Sequence, residues 1–174
     1  MTKIAVLVLC SLPLLSQVRQ PDVTAQREAL KKLGFLAGKW IGEAKVQRGP
    51  GEPLVIQQTE EVQYKMDGLL LLVEGTGRNP SDGKVVFSAL AIITYDDAAG
   101  IYRMRAHNDG RITDTELTLP EGGNGFDWGI TSGPVKINYV MRLNQKGEWH
   151  EAGEMKIGDQ PARKFIEMTV RPQR

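Results

Sequence analysis

The residues of this chain with the most chemical potential are few and scattered. His150 stands beside Glu151 and near Glu154, and His107 precedes Asn108 and Asp109. Neither forms H-x-H or H-E-x-x-H, the spacings that bring two imidazoles to one metal, so a protein metal site is not expected. The lone cysteine, Cys10, can build neither a disulfide framework nor a multi-thiolate centre. There is no G-x-S-x-G for acyl transfer. Gly75-Thr-Gly77 and Gly122-Gly-Asn-Gly125 do not open helices, as a phosphate cradle would. The carboxylate pairs Glu60/Glu61 and Asp96/Asp97 are adjacent, so on a strand they face opposite ways. No positive signal for catalysis emerges, although an isomerase or cyclase would need only a shaped pocket and one acid. No cofactor is expected.

What remains suits binding. Trp40, Tyr64, Met66, Met104, Trp128, Tyr139, Met155 and Met168 fall on mainly apolar strand faces and are candidate ligand-lining residues. The plainer reading is that they fill a core. The abundance of Met over Phe makes such a lining adaptable. Gln58 and Glu60 share a face with Ile56, Val62 and Tyr64; in unbroken register both point inward and need partners or water. Arg103 and Arg105 could add positive charge to this polar cavity. A bulge would turn all four outward onto a solvated face.

These side chains need strands to position them, and the sequence supplies strands. Val135, Ile137, Tyr139, Met141 and Leu143 alternate with Lys136, Asn138, Val140 and Arg142, and residues 40–46 alternate in the same way. Turn signals such as Asp67-Gly68, Asp82-Gly83, Asp109-Gly110 and Gly133-Pro134 punctuate the rest. They divide the chain into about ten strands, roughly 38–48, 54–66, 69–78, 84–96, 100–108, 112–119, 125–131, 135–144, 147–157 and 161–171. Short turns imply an antiparallel meander, and ten strands without covering helices hide their edges best by closing into a barrel. The one helical stretch lies at Pro21–Leu33, with Asp22 or Thr24 as its cap. The fold class is therefore all-β: an antiparallel barrel domain over 36–171, led by a short N-terminal helix and lead-in over 21–35.

The chain of 174 residues balances 22 Lys+Arg against 21 Asp+Glu. That balance argues against nucleic-acid binding through bulk charge. Lys3 followed by the apolar run Ile4 to Leu15 reads as a secretory signal peptide over about residues 1–20, cleaved somewhere in 16–25 and directing the protein to the periplasm or outside. The run is too short for a membrane span, which takes about 20 residues. Lipid anchoring at Cys10 is disfavoured, because Leu9 stands where a small residue belongs. An outer-membrane barrel would need apolar outer faces and aromatic girdles, and the chain has only 6% aromatics.

Gly38-x-Trp40, following the helix at the start of the first strand, resembles the calycin superfamily of lipocalins, fatty-acid-binding proteins and nitrobindin-like barrels. The wider spread of Met66-Asp67-Gly68, Tyr95-Asp96, Gly147-x-Trp149-His150-Glu151, Phe165-x-Glu167-Met168 and Arg171 is similar to a bacterial calycin-like family of unassigned function. The resemblance implies that Trp40 closes the barrel base beneath Arg171 from the last strand, with cation–π attraction between them. It also implies an internal ligand, with Arg103 and Arg105 serving an acidic head group as in fatty-acid binders. Nitrobindin-like relatives hold haem through one histidine, which makes His150, and less so His107, haem candidates; the phase of His150 points it away from the interior. The expected function is interior binding of a small apolar or amphipathic molecule, in a continuous cavity of several hundred Å3. The alternatives are a filled barrel acting as an interaction domain through loops such as 49–53 and 120–125, and a haem barrel. The sequence leaves oligomeric state open.

Overall fold

The computed structural model describes residues 19–173; the signal-peptide reading falls on residues that, up to position 18, lie outside it. The described chain is a helix followed by ten strands: α1 (Val23–Lys31), β1 (Gly38–Val46), β2 (Leu54–Lys65), β3 (Leu70–Arg78), β4 (Val85–Asp96), β5 (Ile101–Asn108), β6 (Arg111–Thr118), β7 (Gly125–Ser132), β8 (Val135–Leu143), β9 (Trp149–Ile157) and β10 (Arg163–Pro172). Each strand pairs antiparallel with the next, and β10 returns to β1, so the meander closes into a barrel. This is the fold class that the alternation and turn signals predict.

Closure fixes which face of every strand looks inward. Ala44 lies opposite Ile56 on β2 and Met168 on β10, and all three are buried. The same phase runs through Val62, Leu71, Ile93, Met104, Leu117, Phe126, Met141, Trp149 and Val170. The opposite phase carries charge on every strand, from Glu43 and Lys45 on β1 to Glu167 and Arg171 on β10. A lipid-facing wall would bury such groups at about 2–4 kcal/mol for each mid-membrane Lys or Arg. The outer wall is therefore built for water. Among the described residues no helix is long and apolar enough to cross a membrane.

One end of the barrel is plugged. Asp22 caps α1 by accepting from the Thr24 and Ala25 amides at 3.1 and 2.9 Å, the chemistry its short side chain favours. Leu30, Leu33 and Leu36, from α1 and the turn after it, are wholly buried against the strand ends. Near the end of α1, Ala29 O and Leu30 O each take a backbone amide and gain a second donor from the barrel. Tyr64 donates its hydroxyl to Leu30 O at 3.0 Å and Tyr102 to Ala29 O at 2.8 Å. Two barrel strands thus hold the helix in place.

The wall has one weak seam. Most neighbouring strands share seven to nine register pairs, whereas β6 and β7 share two, Leu117 with Trp128 and Thr118 with Asp127. Towards the unplugged end the two strands part. There Thr115 Oγ1 donates to Gly129 O at 2.7 Å, a side chain bridging where the ladder has stopped.

Candidate ligand-binding site

Above the plug the interior is not uniformly apolar. On β2 the inward phase runs Ile56, Gln58, Glu60, Val62, placing an amide and a carboxyl inside the barrel. Gln58 is 2% exposed and Glu60 8%. Gln58 Nε2 donates to Glu60 Oε1 at 2.7 Å. Two glycines on β3 make room for them: a Cβ on Gly75 would stand 2.9 Å from Glu60 Oε2, and one on Gly77 would stand 2.9 Å from Gln58 Oε1. Glycine at these positions is a requirement of space, since the turn geometry that usually calls for it is absent.

A second carboxyl enters from β9. Glu151 lies opposite Met141 on β8 and Met168 on β10, both buried, so its side chain faces inward. Two indoles hold it: Trp149 Nε1 donates to Oε2 at 3.1 Å and Trp128 Nε1 to Oε1 at 3.3 Å. Trp128 stacks flat on Tyr139 with centroids 3.9 Å apart, and Phe165 meets that tyrosine edge-on at 5.7 Å. Phe165 sits at the irregularity in β10 between Lys164 and Ile166. Trp149 in turn packs edge-to-face on Trp40 at 5.8 Å, and Trp40 Nε1 donates to Leu36 O at 2.8 Å. All three tryptophans of the chain therefore bear on one interior region.

Removal from water governs the electrostatics there, because a low dielectric disfavours the charged form of an acid. Burial pushes Glu60 up to about 8; the Gln58 hydrogen bond opposes this and the Glu151 charge adds to it. Burial also raises Glu151, partly offset by the two indole donors. Tyr139 rises to about 12 through burial and then the Glu151 charge. The unliganded site thus keeps Glu60 protonated near neutrality.

The sequence-derived candidates divide clearly. Trp40, Met104, Trp128, Tyr139, Met155 and Met168 face inward, with Gln58 and Glu60 among them. Tyr64 is 38% exposed at the plugged rim, where it serves α1. Met66 is not in the interior: it occupies the turn between β2 and β3 at φ 50° and is 68% exposed. Arg103 and Arg105 lie outside as well, because Met104 between them takes the inward phase. Arg103 Nε donates to Asp96 at 3.0 Å and Arg105 binds Asp114 through two bonds of 2.7 and 2.9 Å. They line a cleft of about 580 Å3 on the outer wall. Arg171 pairs with Ile41 on the outer face, so the partner of Trp40 is Trp149 and not an arginine.

Neither histidine reaches the interior. His150 Nε2 lies 3.2 Å from Glu167 Oε1 on the outer wall, and His107 is exposed there. The imidazole that a haem reading requires does not point to the site. Nor is the interior one continuous hollow, because the buried leucines, Met104, Phe126 and Met141 fill its plugged half. Glu151, Trp149 and Phe165 are the members that sequence reasoning missed. Glu151 shares the parity of Trp149 and Met155, which would have placed it inside. The inward turn of Phe165 depends on an irregularity with no sequence signature.

The fold and site define a closed ten-stranded antiparallel barrel with a polar layer inside. No protein-family model and no curated protein matches the chain. Among solved structures it is similar to Rv2717c from M. tuberculosis, with a TM-score of 0.62 and 16% identity, covering 84% of this chain and 98% of that one. At that identity the likeness is one of fold.

Proposed function

We propose that this protein is an exported, calycin-like barrel that binds a small apolar or amphipathic molecule in its interior. The observation that carries the reading is the polar layer of Gln58, Glu60 and Glu151 above a filled, plugged floor. A barrel that only had to fold would gain by replacing these groups with apolar ones, since burying a carboxyl raises its pKa at a cost to stability. Burial towards the unplugged end is also incomplete: Trp128, Tyr139, Glu151 and Met155 face inward yet remain only half-buried. The wall beside Trp128 is also the barrel's weakest, since β6 and β7 share two register pairs there. The apolar run Ile4 to Leu15 supports export.

Mass spectrometry of small molecules released from protein purified from its native host tests the reading. A reproducible apolar or amphipathic molecule, displaced on filling the interior by Ala106→Trp, is the expected result. Release of nothing, together with unchanged tryptophan fluorescence across a panel of amphiphiles, would instead indicate a filled barrel that works through its loops.

A further inference from the structure

The polar layer has a chemical bias. Its nitrogen donors are already used: the Gln58 amide on Glu60, the indoles of Trp128 and Trp149 on Glu151, and that of Trp40 on Leu36 O. Its acceptors are not. Among the described residues, Gln58 Oε1 accepts no hydrogen bond although the side chain is 98% removed from solvent, and Glu60 Oε2 also accepts none. Both atoms lie against β3 where Gly75 and Gly77 make room for them. Neither atom is sealed off without a partner, so each is open to a donor that enters the interior.

No basic side chain supplies it. Lys39, Lys45, Arg103, Arg105, Lys136, Arg142, Lys156 and Arg171 have the outward phase, and the inward-phase Arg111 and Arg163 are exposed at the unplugged rim. Arg163 pairs with Met155, four residues along β9 from Glu151. Aromatic faces meanwhile crowd the layer, in the Trp128–Tyr139 stack and the Trp40–Trp149 pair, and such faces attract cations.

We propose that the interior site takes a cationic amphiphile, its protonated nitrogen held by Glu60, Glu151 and Gln58 Oε1 and its hydrocarbon part lying along the aromatic and methionine wall. The inference rests on the interior-ligand reading and narrows it to a ligand class opposite in charge to a fatty acid. Arrival of the cation favours the ionised form of Glu60, which releases its proton to solvent. Of the other titratable groups facing it, Glu151 is likewise raised by burial and Tyr139 stays protonated throughout the neutral range.

Decylamine, 1-decanol and decanoate share a chain and differ in head group. Each is titrated at pH 7 into the purified protein, with tryptophan fluorescence as the readout. Decylamine is expected to bind at least tenfold more tightly than decanol, with decanoate weakest, and to release protons in calorimetry across buffers of different ionisation enthalpy. Glu60→Gln and Glu151→Gln are expected to weaken decylamine about tenfold and leave decanol unchanged, while Glu154→Gln on the outer face changes neither. Circular dichroism confirms that each variant is folded. Decanol or decanoate matching decylamine would overturn the cationic assignment and leave the interior-ligand reading standing. If none of the three perturbs the tryptophans, both fall.

Discussion

Replacing Glu60 by glutamine removes an ionisation that the fold resists, and the gain in stability should grow with pH. In the folded protein Glu60 titrates near 8, against 4.5 for the free side chain. Below pH 4.5 both states are protonated and the group is neutral in the balance. Between 4.5 and 8 the unfolded chain ionises while the folded one keeps its proton, so native stability falls as pH rises through that window; above 8 the loss is complete. At about 1.4 kcal/mol per pH unit, the penalty is roughly 1 kcal/mol at pH 5 and roughly 4 kcal/mol at pH 8. Glutamine matches the shape and can accept the Gln58 hydrogen bond through its own oxygen. Urea unfolding of wild type and Glu60→Gln at pH 5, 6, 7 and 8 reads the term, because titrating groups not coupled to Glu60, all but Glu151 and Tyr139 near it, cancel in the difference. The curves should diverge steadily, with the variant the more stable. Parallel curves would refute the placement of this carboxyl in a low-dielectric interior.

Other elements make equally direct predictions. Thr115→Val deletes the only hydroxyl bridge across the parted strands and should lower stability by about 1 kcal/mol while speeding hydrogen exchange in β6 and β7 above that in β2 and β3. Gly42→Ala would drive a Cβ into the Thr169 carbonyl and to 2.8 Å from Val170 Cα, backbone that cannot yield, and should cost about 3 kcal/mol or more by thermal denaturation. Gly75→Ala instead meets the movable end of Glu60, so it should fold with about 1 kcal/mol lost yet bind interior ligands more weakly in the fluorescence titration. If the protein is exported as proposed, the intact mass of the mature form should place cleavage at or before Arg19. Cleavage after Ala25 would discard the Asp22 cap and the first turn of α1.

Period-two alternation and turn residues made the barrel legible, because each strand has one apolar face and the turns are short. The inward placement of Gln58 and Glu60 follows from the same arithmetic, once β2 runs without a bulge. Arg103 and Arg105 misled because charge alone does not reveal phase; Met104 between them does. Met66 misled because it sits where the strand gives way to a tight turn, and a φ of 50° takes it out of the alternation. Arg171 lies one residue out of phase with Trp40, a difference that depends on the register at which β10 meets β1. Closure registers are set by packing across the whole barrel, and no local pattern encodes them.

The placement of small residues connects this architecture to its proposed task. The plugged half is packed with leucine, methionine and tryptophan, as a core that must hold a barrel shut requires. At the polar layer the pattern changes to Gly75 and Gly77 on β3 and Gly153 on β9, with Ala89, Ala91 and Ala106 following the inward phase of β4 and β5. Each of these positions could carry a larger apolar side chain only by displacing Glu60, Gln58 or Tyr139, or by filling the space they face. A sequence selected for stability alone would have no reason to combine buried carboxyls with the small residues that accommodate them. A ligand of the proposed kind would account for both: the acids would supply its recognition, and the alanines of β4 and β5 would leave it volume.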